Sequence, residues 1–207
     1  MRLPASFFAR RAIEVAPELL GCRLIHELPD GSRLAGRIVE VEAYLGDGTD
    51  GASHSHRGPT PRSRTMFGPP GHFYVYRSMG IHRCANIVCE PEGHASAVLL
   101  RAVEPLEGQA RMRVLRGERD GVELCNGPGK LCQAFDIELA HDGHDARDGA
   151  LRVEGPVRNA THIMAGPRIG ISKAVELPYR FFLANSPWVT RSSLNRAART
   201  CSKARRA

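Results

Sequence analysis

Apolar and polar residues alternate through Val39-Glu40-Val41-Glu42-Ala43-Tyr44, the period of a β-strand. Val39, Val41, Ala43 and Leu45 fall on one face, and Glu40, Glu42 and Tyr44 on the other. The first face suits a core. The second needs either solvent or a task, because two carboxylates and a phenol do not fill an apolar interior. The pattern extends to a hairpin: a strand over 22–27, a turn at Pro29-Asp30-Gly31-Ser32, and a long strand over 33–45. A short helix is expected over 16–20, with Pro17 early in it and Gly21 as its stop. Residues 46–72, rich in Gly, Pro, Ser, Thr, His and Arg, read as a long functional loop. Further strands are expected over 73–77, 86–90, 95–103, 151–154 and 179–183, and helices over 107–116 and 130–135. Strands outnumber helices and short turns join several of them. The expected fold is α+β, a single domain around a curved, mostly antiparallel β-sheet with flanking helices.

Composition adds limits. The 207 residues suffice for one substantial domain. No apolar run approaches the roughly 20 residues of a membrane helix. Arg10, Arg11 and Glu14 stand where a signal peptide would be apolar, so a cytoplasmic protein is expected. Six cysteines form no C-x-x-C pair and read as free thiols. A zinc site from Cys84, Cys89 and nearby histidines is the alternative to small buried side chains.

The net charge of +7 is unevenly placed. Residues 191–207 hold six basic side chains and no acid, which suggests a folded body over 1–190 followed by a flexible basic tail. More telling, residues 51–89 contain no Asp or Glu but include Arg57, Arg62, Arg64, Arg77 and Arg83. Such a window creates a positive field suited to a polyanion, unless its arginines pair with acids elsewhere.

Several residues could carry chemistry. Glu42 and Glu40 are neighbouring carboxylates, and the alternation leaves them on equal terms as base and structural partner. Arg101 interrupts an otherwise apolar strand, so it needs a carboxylate beside it. Tyr74 and Tyr76 share a strand face and could stack on a base. Met79, at a turn, could wedge into a base stack. Gly127-Pro128-Gly129-Lys130 opens a helix and could meet a phosphate.

Taken together the chain resembles the alkyladenine (3-methyladenine) DNA glycosylase family. The resemblance rests on Gly36-Arg-Ile-Val-Glu-Val-Glu-Ala-Tyr-Leu-Gly46, His54-Ser55, Thr60-Pro-Arg-Ser-Arg64, Tyr74-Val-Tyr76, Cys84-Ala-Asn86, Val98-Leu-Leu-Arg101, Gly166-Pro-Arg-Ile-Gly170 and Ser186-Pro-Trp-Val189. It implies an enzyme that flips a damaged purine from duplex DNA and hydrolyses its N-glycosidic bond, leaving free base and an abasic site. Glu42 would be the general base and Arg101 its partner. Tyr44 and Tyr76 would sandwich the base, His54 would contact it, and Asn86 would form the floor. Met79, Arg62, Arg64 and Lys130 would touch DNA. The family pattern implies no metal or organic cofactor, no membrane, no obligate protein partner and a monomer. One departure stands out: Met79 occupies a position where the family commonly has an intercalating tyrosine. A non-catalytic nucleic-acid-binding module and a metallohydrolase using the histidine-rich loop are the competing readings.

Overall fold

The computed structural model describes residues 1–156 and 160–201. The hairpin forms as its pattern predicts: β1 (Arg23–Glu27) pairs antiparallel with β2 (Arg33–Tyr44), Glu27 opposite Arg33. Two helices precede it, α1 (Ala5–Phe8) and α2 (Ala12–Leu19). The helix expected over 16–20 therefore begins earlier, and Pro17 lies inside it. The cause is a stripe at helical spacing, Ala12, Val15, Ala16 and Leu19, all fully buried. Burying that stripe outweighs the one intrahelical hydrogen bond that Pro17 cannot donate.

The remaining strands are β3 (Phe73–Ser78), β4 (His82–Cys89), β5 (Ser96–Glu107), β6 (Leu151–Glu154), β7 (Ile163–Gly166), β8 (Arg180–Leu183) and β9 (Arg199–Thr200). Helices α3 (Gln109–Leu115) and α4 (Pro128–Ala134) follow β5. β4 starts before the expected residue 86, and β5 runs past residue 103. The helix expected over 107–116 is trimmed by Gly108, whose φ of +76° ends the strand; a Cβ there would sit 2.5 Å from the Arg33 carbonyl oxygen. β7 and β9 were not expected, because β7 is only four residues without alternation and β9 only two.

All recorded strand pairings are antiparallel and build one sheet in the order β3-β4-β5-β2-β8-β7-β9, with β1 also on β2 and β6 on β1. β2 is the spine. One edge of it meets β5 along most of its length, while the other is shared by β1 and β8. The core contains Val39, Val41, Ala43 and Leu45 from β2, with α2 and α4 covering the sheet.

The β2–β5 ladder carries three irregularities, one of them near its end, where Ala35 pairs with Glu107 and Gly36 with Pro105, so Leu106 is an extra residue on β5. Ile38 pairs with Val103 and Glu40 with Ala102, so Val39 is an extra residue on β2. Glu40 pairs with Ala102 and Val41 with Leu100, so Arg101 is an extra residue on β5. Bulges of this kind re-aim side chains and disturb pairing locally. Here the last two flank Glu40, and Glu42 lies just beyond them.

Part of the segment expected to be a flexible tail packs into the fold. Residues Ser193–Ala197 form a 3-10 turn, and β9 pairs with β7 through Met164–Thr200 and Ala165–Arg199. Lys203, Arg205 and Arg206 lie outside the described residues.

Candidate active site

Neither glutamate of the polar face meets solvent: Glu40 and Glu42 are both fully buried. Each is instead surrounded by donors. Glu40 Oε1 accepts from Arg101 Nε at 3.3 Å and from Arg180 Nη1 at 3.1 Å, and its Oε2 accepts from the Thr190 backbone N–H at 2.8 Å. Glu42 Oε1 accepts from the Ile169 backbone N–H at 2.7 Å. Its Oε2 accepts from the Tyr44 hydroxyl at 2.8 Å and from Arg101 Nη1 at 3.3 Å. The bulged Arg101 thus spans both carboxylates. Burial pulls its pKa down, but Glu42 and Glu40 outweigh burial and the net shift is upward. Arg180 goes the other way: burial dominates Glu40 and the pKa falls. Arg180 is also held by Asn195 Oδ1, which accepts from Nη2 at 2.5 Å.

The two carboxylates differ in what lies in front of them. A cleft of about 640 Å³ opens beside β2. All three donors to Glu42, namely Tyr44, Arg101 and Ile169, line it. Glu40's other donors, Arg180 and Thr190, do not. Glu42 is therefore one residue layer from the cleft, whereas Glu40 faces the interior.

The opposite side of the cleft is aromatic. Tyr74 and Tyr76 of β3 stack with centroids 5.3 Å apart at 27°. His54 stands edge-on to Tyr76 at 4.5 Å, and its Nδ1 lies 3.0 Å from the Tyr74 hydroxyl. Burial, aided by the Arg62 charge, lowers the His54 pKa to about 4, so this ring is neutral at physiological pH. Burial likewise raises Tyr44, with Glu42 adding to the effect. Asn86 lines the cleft beneath Tyr74, where its Nδ2 donates to the Tyr74 carbonyl at 3.0 Å. Leu99 and Cys84 complete the floor.

Two buried residues that the sequence did not single out support Tyr44. Arg168 is fully buried and forms a two-pronged pair with Asp50, at 2.6 and 2.7 Å. Its guanidinium carbon lies 4.5 Å from the Tyr44 ring centroid, and its Nη1 also donates to the Ala43 carbonyl at 2.9 Å. Next in sequence is Ile169, whose N–H reaches Glu42. One segment, 168–169, therefore braces the ring and holds the carboxylate. The signal was present as an acid and an arginine in glycine-rich loops, but their separation of 118 residues hid the pairing.

The residues expected at the DNA are partly gathered here. Met79 is 88% exposed at the cleft rim, in a left-handed conformation with φ of 51°. Lys130 lines the cleft but is bonded to Glu123 at 3.2 Å and to Asn126 Oδ1 at 2.8 Å. Arg64 sits in a 3-10 turn and does not line the cleft. Arg62 does line it, with its guanidinium carbon 4.7 Å from the Tyr76 centroid. Of the five arginines in the acid-free window, Arg83 pairs with Glu138, and Arg57, Arg62, Arg64 and Arg77 have no ion pair among the described residues. The window's field is therefore largely uncompensated.

No group of three His, Cys, Asp or Glu able to hold a metal occurs among the described residues. Cys84 and Cys89 stand five apart on β4 and so face opposite ways, Cys84 to the cleft and Cys89 to the core. No helix among the described residues is long and apolar enough to cross a membrane.

The chain is similar to several known proteins over most of its length. A protein of Rhodopseudomonas palustris strain BisB18, named "Putative 3-methyladenine DNA glycosylase", is 53% identical over 190 residues, covering 92% of this chain and 91% of its own. A protein of the same name from Methanoculleus marisnigri is 48% identical over 195 residues, covering 92% of this chain and all of its own. One from Burkholderia cenocepacia is 48% identical over 192 residues, covering 91% and 90%. Residues 6–187 match the family model described as methylpurine-DNA glycosylase, and the chain belongs to that family.

Proposed function

We propose that this DNA glycosylase flips damaged purines, alkylated or deaminated, out of duplex DNA into the cleft beside β2 and hydrolyses the bond to the sugar there. The observation that carries the catalytic assignment is Glu42, fully buried yet held by three groups that all line the cleft. A water lodged against Arg101 and the Tyr44 hydroxyl is within one hydrogen bond of Oε2. Glu42 takes a proton from that water as its oxygen attacks C1′, and the N-glycosidic electron pair leaves with the base. The same carboxylate, fixed in advance, stabilises the positive charge that develops on the sugar. Arg101 orients Glu42 and the water, while Glu40 neutralises Arg101 from behind.

Tyr44 and Tyr76 supply the stacking faces for the flipped base. His54, neutral and so able to donate or accept, contacts its edge. Asn86 forms the floor, its amide orientation set by Tyr74, and rejects guanine through a clash with the exocyclic amine. Met79 fills the gap left in the duplex. Lys130 and Arg64 meet the phosphate backbone, and the protein acts as a monomer.

The test is single-turnover release of hypoxanthine or 3-methyladenine from a duplex oligonucleotide. Glu42→Gln should slow release by about 10²–10⁴-fold while leaving duplex binding intact. Wild-type protein that binds the duplex and releases neither base would instead favour a non-catalytic binding module.

A further inference from the structure

The cleft's charge is unusual for a pocket that receives methylated purines, many of which are cations. None of its lining side chains is an Asp or Glu, whereas Arg62, Arg101, Lys130 and Lys173 all line it. Two of the four are compensated: Arg101 by Glu40 and Glu42, and Lys130 by Glu123. Arg62 and Lys173 form no ion pair among the described residues. Arg62 is the one placed against the aromatic wall, over Tyr76 and beside His54. Its side chain is turned onto the ring that would stack the flipped base. A residue serving the phosphate backbone has no need of that contact.

We propose that Arg62 belongs to the lesion pocket and is a specificity-determining residue, shifting excision toward uncharged purine lesions and away from cationic ones. The inference rests on the glycosylase reading and names the substrate class within it. A guanidinium offers five N–H donors and a fixed charge. Hypoxanthine is neutral and, like guanine, presents O6 and N7 as acceptors. A purine methylated at N7 has lost that acceptor and carries a positive charge. Arg62 attracts the first and repels the second. His54, kept neutral by burial with help from the Arg62 charge, adds no second positive charge, so the contrast rests on Arg62.

The experiment measures single-turnover release of hypoxanthine and of 7-methylguanine by wild type, Arg62→Gln and Arg62→Ala. Arg62 is exposed, so neither change threatens the fold. The ratio of hypoxanthine to 7-methylguanine rates should fall by roughly tenfold in both variants, mainly through faster 7-methylguanine release. Gln keeps a donor without the charge, so a ratio restored by Gln and lost only with Ala would overturn the electrostatic account. Equal slowing of both bases, with a shallower salt dependence of binding, would also overturn it and assign Arg62 to a phosphate. Failure of the wild type to release either base would sink the glycosylase reading itself, an outcome distinct from an unchanged ratio among active proteins.

Discussion

Glu40 and Glu42 stand two residues apart on one strand face, yet their neighbours give them different work. Glu40 closes an interior network with Arg101, Arg180 and Thr190, whereas Glu42's donors all border the cleft. Sequence alternation put both carboxylates and Tyr44 on one face, and it anticipated a carboxylate beside Arg101. It did not reveal the Ile169 N–H or the Arg168–Asp50 pair, because backbone donors and pairs distant in sequence leave no local pattern. That pair should matter for stability. Asp50→Ala leaves Arg168 buried and charged without its carboxylate, and should cost about 3–5 kcal/mol in urea unfolding. A loss below about 1 kcal/mol would mean that water reaches Arg168 once Asp50 is gone. Asp50→Asn keeps the shape and one acceptor and should cost less.

At the scale of elements, the β3–β4 connection is a tight turn with an exposed apolar tip. Met79 and Gly80 both have positive φ, and the Ile81 N–H donates to the Ser78 carbonyl at 3.1 Å. Two left-handed central residues are the signature of the hairpin turn whose twist matches the strands it joins. Gly80 accepts that conformation freely, whereas methionine adopts it at a cost. The turn projects Met79 and Ile81, 88% and 74% exposed, away from the sheet. A costly backbone carrying a bare apolar tip fits the wedge role. Met79→Ala should weaken binding to lesion-bearing duplex by about 1 kcal/mol, measured by titration, and slow release in step. Met79→Tyr should match or exceed the wild type. Unchanged binding and turnover in Met79→Ala would remove the residue from that role. The turn was readable from Met79-Gly80, but strand β4 was expected to start later because His82 and Arg83 interrupt its apolar pattern.

For the molecule as a whole, the antiparallel α+β architecture was legible, since the strand period survives in β2 and β3, and β5 shows as an apolar run broken by Arg101. The end of the chain was less so: Arg199 and Thr200 look like tail by composition but are held as β9 by pairing with β7. Global stability should also report on the site through pH. The histidine in an unfolded chain binds a proton below its ordinary value of 6.5, whereas burial, helped by Arg62, keeps folded His54 neutral down to about 4. Burial lowers His141 in the same direction. Unfolded chains therefore bind more protons, and stability should fall as pH drops from 6.5 toward 4. Asp145, held low by its hydrogen bond from Arg147, loses its contribution at lower pH, below its ordinary 3.8. Urea unfolding at pH 7 and 5.5 should show the histidine loss, and His54→Gln should reduce it. A slope unaffected by that change would place the penalty on other groups.

Val39 and Arg101, the extra residues in the middle of the β2–β5 ladder, behave like a dislocation and its opposite in a crystal. Val39 shifts the register by one step, Arg101 shifts it back, and Val41 to Tyr44 pair in the register that runs from Gly36 to Ile38. The defect is confined to the step at Glu40, the carboxylate that backs Arg101, and Glu42 stands just past it in regular pairing. Losing either residue alone would carry the error along the spine strand and turn core side chains outward. Losing both would heal the lattice while erasing the arginine that spans the carboxylates. The lengths of these two strands are thus tied to one another, and the site is a fault that the sheet contains.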